Sequence, residues 1–272
     1  MEFLVRDKTC FAFTGGKPYE AGRPTVVFIH GAQHDHSVWI LQSRYLAHHG
    51  FSVLALDLPG HGKSVGPALT RIEAMADWVL DVLSALGASE VTLIGHSMGS
   101  LVALEAAARD TARITRIALL ATAYPMRVSD ALLAATQTDE ARAIDMINIW
   151  SHSQDEGGFS HKPSNPGPGF NIVWANKRLM QRQAPGVLFT DFAACNAYAG
   201  GEKAAAAVRV PTLFLIGEQD AMTSPSRGMA LADQIKHRTV TLLRRVGHAS
   251  MAEAPDEVLD ALRNFLNDGA TA

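Results

Sequence analysis

The residues most able to do chemistry begin with a serine between two glycines, Gly95-His96-Ser97-Met98-Gly99. The segment follows a strand-like apolar run and precedes a helical stretch rich in alanine and leucine, the context in which Gly-x-Ser-x-Gly forms a nucleophile elbow. A serine in such a turn projects its hydroxyl above the strand end, and the flanking glycines avoid clashes with nearby backbone. The following helix points backbone N–H groups at the same place. The pattern predicts Ser97 as a catalytic nucleophile.

A serine hydroxyl is a weak nucleophile until a neighbouring base accepts its proton, so a histidine is required nearby. The chain contains 11 histidines. His248 follows the last predicted strand, and loops at the carboxyl ends of parallel strands open on the face that carries Ser97. His96 adjoins the nucleophile, but neighbouring side chains on an elbow diverge, which favours a packing role. We therefore predict His248 as the general base.

An acidic side chain in a further strand-end loop would orient the imidazole and stabilise its positive charge. The loop Gly217-Glu218-Gln219-Asp220 follows a strand-like run and offers two carboxylates. At this point both Glu218 and Asp220 remain candidates for the acid.

The elements that must position these loops can be read from hydrophobic patterning. Short strand-like runs occupy residues 26–29, 53–56, 91–94, 117–120, 213–216 and 240–243. The first five are continuous apolar runs, as expected where helices cover both faces of a sheet. Residues 3–5 and 10–13 predict an antiparallel hairpin, and helical patterns fill the gaps, one capped by Thr70 with Glu73 and one beginning at Pro255. The alternation predicts an α/β fold with a mostly parallel central sheet flanked by helices.

One stretch breaks the alternation of strands and helices. Between the strands near Thr122 and Thr212, helical patterns cover about 129–149, 170–183 and 187–198, without a convincing strand. Connections of this length are usually functional or disordered, and the many apolar residues argue against disorder. We predict an inserted helical cap at residues 124–206, which divides the core into residues 1–123 and 207–272.

Together these features resemble the α/β-hydrolase superfamily, in its capped, esterase- and lipase-like branch. Besides the elbow, the resemblance rests on His30-Gly31 at one strand end and on Asp-Leu-Pro-Gly-His-Gly-Lys-Ser at residues 57–64, the end of the next strand. It covers nearly the whole chain. It implies the α/β-hydrolase fold and a Ser-His-Asp triad.

The resemblance also chooses between the two acids. The family order of nucleophile, acid and histidine agrees with Ser97, Asp220 and His248. Some relatives carry the acid after the strand that ends here near Thr122, where no acidic residue follows closely. Asp220 is therefore the predicted acid, and Glu218 is the alternative.

The same resemblance implies an oxyanion hole made by two backbone N–H groups. These belong to Ala32, which follows His30-Gly31, and to Met98, which follows the nucleophile. Gln33 stands where some esterases have a glycine-rich loop, so it is a candidate for the substrate pocket. Trp150 and Trp174 lie in the predicted cap and are further pocket candidates, with packing in the core as the alternative.

Composition narrows the classes of function. With 47% hydrophobic residues and a net charge of −3, the chain is neither disordered nor suited to dedicated nucleic-acid binding. The charged amino terminus, the lack of a 20-residue apolar run and two distant cysteines predict a cytoplasmic protein without membrane partners. His34-Asp35-His36 lacks the His-x-His-x-Asp-His pattern of metallo-hydrolases. We interpret it as a surface loop and predict neither metal nor cofactor.

The sequence therefore predicts a serine hydrolase that cleaves a small, fairly apolar carboxylic ester, with a small molecule as its partner and a monomer or homodimer as its state. The same triad could instead cleave a carbon–carbon bond, a lactone, a thioester or an amide. A catalytically weak binding or receptor protein on the same fold is the alternative from a different class.

Overall fold

A computed structural model describes residues 1–155, 158–159 and 171–267. The strands are β1 (Glu2–Val5), β2 (Lys8–Phe13), β3 (Thr25–Ile29), β4 (Ser52–Leu56), β5 (Val91–His96), β6 (Ile114–Leu120), β7 (Gln154–Asp155), β8 (Gly158–Phe159), β9 (Thr212–Gly217) and β10 (Arg238–Leu243). All but β7 and β8 form one sheet in the order β1-β2-β4-β3-β5-β6-β9-β10. The β1-β2 and β2-β4 pairs are antiparallel and the others are parallel. The predicted fold class and all eight predicted strands are confirmed.

Helices cover both faces of this sheet. On one face lie α1 (Ile40–Ala47), the short α10 (Ser250–Glu253) and α11 (Pro255–Asn267). On the other lie α2 (Ile72–Ala85), α3 (Met98–Arg109), α8 (Gly201–Ala207) and α9 (Pro225–Ala232). In β3, Val27 and Ile29 face the second group while Val26 and Phe28 face the first. This alternation explains why β3, β4 and β5 are buried at every position and are mostly apolar.

One predicted helix start is wrong. α2 begins after Arg71, whose backbone is extended and whose side chain caps no helix amide. Arg71 instead donates Nε–H to Glu73 Oε2 at 3.3 Å. The capping box expected from Thr70 and Glu73 therefore does not form, because the first turn starts one residue later than that motif requires.

Among the described residues between β6 and β9 there are four helices besides α8, and the β7-β8 hairpin. The helices are α4 (Asp130–Thr138), α5 (Glu140–Ser151), α6 (Ile172–Met180) and α7 (Val187–Ala197). The single helix expected at 129–149 is interrupted at Asp139, whose carboxylate accepts the Arg142 N–H and caps α5. The β7-β8 hairpin, with two residues in each strand, was not predicted.

We refer to residues 124–206 as the cap segment. It has an apolar cluster of its own, separate from the two clusters that flank the sheet: Leu132, Ala143, Ile144, Ile147, Met180, Leu188 and Phe192. At its end, Ala204 and Ala205 of α8 pack into the core beside α3. Division of the chain into two domains remains a prediction, and this packing favours a second boundary just before α8.

Within the described ranges, none of the helices combines the length and the apolar composition needed to cross a lipid bilayer.

Candidate active site

Ser97 occupies the turn between β5 and α3. Its φ of 52° and ψ of −119° lie outside the usual regions for an L-residue, so the turn holds the backbone under strain. A Cβ at Gly95 would lie 2.1 Å from the Gly99 carbonyl oxygen, and one at Gly99 would lie 2.4 Å from that of Ile29. Both positions therefore require glycine, as expected for a nucleophile elbow.

His248 and Asp220 meet in the loops that follow β10 and β9. His248 Nδ1 lies 2.9 Å from Asp220 Oδ2, and both side chains are buried. Because a carboxylate only accepts, Nδ1 carries the proton and donates it, which leaves the lone pair on Nε2 free to act as a base. The alternative acid, Glu218, is exposed on the same loop.

Asp220 is held by more donors than the histidine alone. Its Oδ1 accepts the N–H groups of Met222 at 2.9 Å and Thr223 at 2.8 Å, and its Oδ2 accepts the Thr223 hydroxyl at 2.6 Å. Burial by itself would raise the pKa of this carboxyl, but His248 and these hydrogen bonds outweigh burial and lower the pKa below its ordinary value. Thr223 was not predicted as a site residue, although a carboxylate bonded to amides two and three residues ahead is a recognisable Asx turn.

His96 supports the histidine loop rather than the nucleophile. Its Nε2–H donates to the His248 carbonyl oxygen at 2.9 Å, and the two rings lie 4.8 Å apart. Burial lowers the pKa of His96 well below its ordinary value, so the ring is neutral at physiological pH. This agrees with the packing role expected for it.

The two predicted oxyanion donors belong to two segments next to the nucleophile, the start of α3 and the loop after β3. Met98 is the first residue of α3, where backbone N–H groups have no partner within the helix. Ala32 belongs to the loop after β3 and lines the same cavity as Ser97. Gly31 brings this loop close, since a Cβ there would lie 3.2 Å from Ser97 Cβ.

Gln33 does not lie where the pocket prediction placed it. It is fully buried, its N–H donates to Asp191 Oδ2, and its Nε2 donates to the Met180 carbonyl oxygen and to Glu140. A positive φ of 57° turns its side chain toward the cap segment. Its contacts therefore join the loop after β3 that carries Ala32 and Gln33, here called the oxyanion loop, to the cap segment. Gln33 does not line the cavity that contains Ser97.

Ser97 and His248 line one cavity of about 340 Å³. Its walls are largely apolar and come mainly from the cap segment and from the loop after β9 that carries Asp220: Met126, Val128, Leu132, Trp150, Phe192 and Met222. Trp150 thus lines this cavity, and its contact with substrate remains a prediction. Trp174 was predicted to line the pocket but does not, because it is 62% exposed on α6 and lies outside this cavity.

The segment His34-Asp35-His36 is not the surface loop we expected. His34 and Asp35 are largely enclosed, and His34 Nε2 donates to Asn176 Oδ1 at 2.8 Å. Burial lowers the pKa of His34 to about 4. This enclosure could not be predicted from the sequence, because Asn176 lies on α6, 142 positions away.

One group among the described residues, Asp35, His36 and Asp57, has ligand atoms close enough to hold a metal ion. The carboxylates already have other partners. Asp57 accepts the His36 N–H and Nδ1–H at 2.8 Å and the Lys63 N–H at 2.9 Å, and Asp35 accepts from Ser37. These bonds build the turns after β3 and β4, as expected of Asp57, and the absence of a metal and of a cofactor remains a prediction.

The chain was also compared with known proteins. The model of the family described as "alpha/beta hydrolase fold" matches residues 24–255, most of the chain. Two curated relatives come from Acinetobacter baylyi. An (E)-2-((N-methylformamido)methylene)succinate hydrolase is 27% identical, with 97% of this chain and 96% of the relative aligned. A 3-oxoadipate enol-lactonase is 25% identical, with 89% and 88% aligned.

Solved structures give the same picture of the fold. The enol-lactonase from Burkholderia xenovorans LB400 superimposes with a TM-score of 0.84 over 98% of this chain and 100% of that one, at 23% identity. At this level of identity the match concerns the fold alone. The curated relatives are named as hydrolases of different substrates, so the chemistry of this site has to be argued from its own residues.

Proposed function

Since the chain belongs to the α/β-hydrolase family, we propose that it is a serine hydrolase which cleaves a small, fairly apolar carboxylic ester. The observation that carries the proposal is the 2.9 Å bond from His248 Nδ1 to Asp220 Oδ2, beside a cavity that His248 shares with the strained Ser97. The residues of a nucleophile, a base and an orienting acid thus come from three strand-end loops.

In the first half of the proposed reaction, Ser97 Oγ attacks the ester carbonyl carbon while His248 Nε2 accepts the hydroxyl proton. Asp220 stabilises the imidazolium that forms. The N–H groups of Ala32 and Met98 donate to the negatively charged carbonyl oxygen of the tetrahedral intermediate. The intermediate then releases the alcohol, which takes the proton from Nε2, and leaves the acyl group on Ser97.

In the second half, water attacks the acyl carbon and His248 Nε2 accepts one of its protons. The same two N–H groups stabilise the second tetrahedral intermediate. Collapse returns the proton to Ser97 Oγ and releases the carboxylic acid. The residues of this chain therefore account for both steps with ester and water as the only reactants.

The cavity supports a substrate of modest size. At about 340 Å³, it lies near the lower end of the range for small-molecule sites. Apolar walls from Leu132, Trp150 and Phe192 favour an apolar acyl or alcohol group. Arg127 brings one formal positive charge to the lining, so a substrate panel should include esters that carry a distant carboxylate.

The experiment is a comparison of wild type with Ser97→Ala on 4-nitrophenyl esters of two to eight acyl carbons. We expect wild type to prefer the shorter acyl chains, and Ser97→Ala to lose at least about 1,000-fold in kcat while keeping the wild-type circular dichroism spectrum. Ser84→Ala, an exposed serine on α2, is the matched control. Undiminished turnover by Ser97→Ala would refute the proposal.

A second candidate is lactone hydrolysis, since a 25% identical relative and a solved structure of the same fold are both named enol-lactonases. A lactone is an internal ester, so the same residues would open it. Butyrolactone-type substrates, thioesters, amides and 1,3-diketones in the same panel separate these reactions by their kcat/KM. Failure of a fluorophosphonate probe to label Ser97 in folded protein would instead support a binding or receptor protein.

We further propose a cytoplasmic monomer or homodimer. The cytoplasmic location is supported by Cys10 and Cys195, which are both buried and unpaired, as suits a reducing compartment. Cell fractionation of the full chain and light scattering after size-exclusion chromatography test the two statements separately.

A further inference from the structure

Asp191 is a buried carboxylate that the triad does not use. It lies on α7 in the cap segment and is fully enclosed. Its Oδ2 accepts two hydrogen bonds from the core, one from the Gln33 N–H at 2.9 Å and one from His61 Nε2 at 2.9 Å. One oxygen atom therefore joins the cap segment to the oxyanion loop and to the turn after β4.

The hydrogen-bond partners of His61 define its charge. Its Nδ1 lies 3.1 Å from the Pro59 carbonyl oxygen, and its Nε2 faces the Asp191 carboxylate. Both partners are acceptors, so both ring nitrogens must carry protons and the ring is an imidazolium. Burial disfavours that charge, but Asp191 outweighs burial and raises the pKa of His61 above its ordinary value.

The neighbouring His30 shows the opposite arrangement. Its Nδ1 faces the Gly31 carbonyl oxygen and its Nε2 accepts the Leu58 N–H, which requires a neutral ring. Burial and the nearby His61 lower the pKa of His30 to about 4. Of these two rings, whose centroids are 4.8 Å apart, only His61 is positioned to pair with Asp191.

Gln33 needs this partner because its backbone is strained. Its φ of 57° lies in a region that residues with a side chain rarely adopt, so surrounding bonds must hold it there. The bond to Asp191 fixes the Gln33 N–H, and thereby the plane of the peptide that links Gln33 to Ala32. The next amide back along the chain is the Ala32 N–H, one of the two oxyanion donors.

We propose that Asp191, charge-paired with His61, is a positioning residue that aims the Ala32 N–H at the oxyanion. The inference rests on the proposed function. An oxyanion donor acts only within about 2.7–3.1 Å of the charge that develops, and a 1 Å displacement can lower the rate by about 100-fold. Because that charge exists only in the tetrahedral intermediates, Asp191 should affect kcat and leave KM nearly unchanged.

The test is Asp191→Asn, which keeps the shape of the side chain and removes its charge. We expect kcat for the best 4-nitrophenyl ester to fall about 10- to 100-fold with KM within twofold. The Ki of butylboronic acid, whose adduct with Ser97 places an oxygen in the oxyanion hole, should rise by a similar factor. Tyr198→Phe is the matched control, since it removes a cap-to-core hydrogen bond, to Glu105, that does not involve the oxyanion loop.

Should Asp191→Asn fail to fold, His61→Gln tests the pair from the other side, because glutamine can donate to Asp191 without a charge. It should lower kcat and boronate affinity in the same proportion. The proposal is overturned if a folded variant keeps both within twofold of wild type, or if Tyr198→Phe loses them equally. A wild-type chain that turns over no ester would instead refute the proposed function, whereas an active wild type with an equally active Asp191→Asn refutes only this inference.

Discussion

At the scale of single residues, the site depends on how tightly Asp220 is held. Two backbone amides, one hydroxyl and the His248 ring all donate to this one carboxylate. In the proposed mechanism, a fixed carboxylate keeps the imidazole in the tautomer whose Nε2 lone pair accepts the Ser97 proton. The Glu218 side chain is exposed. Holding it equally still would cost the conformational entropy that it has in solvent.

Asp220→Asn should therefore lower kcat far more than it disturbs the fold. An amide can donate to His248 Nδ1, which stabilises the tautomer with its proton on Nε2 and removes the base. We expect kcat to fall by about 1,000- to 10,000-fold with 4-nitrophenyl esters. Glu218→Gln on the same loop is the control and should stay within twofold; a larger loss there than in Asp220→Asn would reassign the acid.

The lowered pKa of Asp220 also predicts how stability depends on pH. The folded chain binds this proton less readily than the unfolded chain, whose carboxyl titrates near 3.9. Its ionisation therefore stabilises the fold fully above about pH 5, and that contribution is lost as the pH falls through the lower folded-state pKa.

Urea unfolding of wild type and Asp220→Asn from pH 7 to pH 3 measures this contribution. The difference between their free energies of unfolding should be constant above about pH 5 and change steadily below it, with wild type losing more stability. A difference that does not vary with pH would show that the charge of Asp220 contributes nothing to the fold.

The limits of sequence-based prediction are clear at this scale. The placement of Ser97, His248 and Asp220 after β5, β10 and β9 could be predicted because the end of each strand is visible in the hydrophobic pattern, while their catalytic roles remain predictions. Gln33 and Trp174 could not be placed, since their directions depend on a φ of 57° and on how α6 packs. Asp191 gave no local signal either, because its partner Gln33 is 158 positions away.

At the scale of elements, the strands were predictable and the helix ends were less so. Because β3, β4 and β5 are buried on both faces, most of their residues are apolar, and this pattern identifies a strand whichever face each residue occupies. Helix starts depend on single capping bonds, which are harder to predict. The motif at Thr70 placed the start of α2 one residue too early, and the cap at Asp139 begins a separate helix inside the stretch predicted as one.

The strand-to-helix turn at Ser97 predicts a large effect for Gly95→Ala. Its new Cβ would lie 2.1 Å from the Gly99 carbonyl oxygen, and backbone on both sides is fixed by the sheet and by α3. We expect a loss of about 1–3 kcal/mol in the free energy of unfolding, with kcat reduced at least about 10-fold. Gly22→Ala, where a Cβ would meet nothing within 4 Å, should change stability by less than about 0.5 kcal/mol. Equal effects of the two changes in thermal melts would contradict this account of the elbow.

At the scale of the whole molecule, hydrogen bonds link the cap segment to two of the loops around the candidate site, the loop after β3 and the loop that carries His248. Asp191 holds the oxyanion loop through Gln33. Ser153 donates its N–H and hydroxyl to the buried Glu253, which also accepts the N–H of Gly247, the residue before His248. The cap segment therefore contributes to the geometry of the catalytic loops as well as to the walls of the cavity.

These bonds predict that the core has a lower free energy of unfolding without the cap segment. Replacing residues 124–198 with a ten-residue Gly-Ser linker, while keeping α8 against α3, would remove the partners of Gln33 and His61 and two of the donors to Glu253. The deletion would also expose the apolar core surface that Ala194, Cys195 and Tyr198 cover. At about 25 cal/mol per Å² of apolar surface, this exposure is a sizeable part of the roughly 5–15 kcal/mol by which domains are stable.

We expect this deletion variant to melt at least about 10 °C below wild type and to lose at least about 100-fold in kcat even on 4-nitrophenyl acetate, a substrate too small to need the cavity walls. The same linker inserted after Gly22 is the control for the effect of the flexible linker itself. If the cap segment were only a lid that selects substrates, the deletion variant would keep its melting temperature within about 3 °C and hydrolyse the acetate ester at the wild-type rate. Thermal melts and turnover of 4-nitrophenyl acetate, measured on the same samples, therefore show whether the cap segment only covers the cavity or also holds the proposed catalytic loops in place.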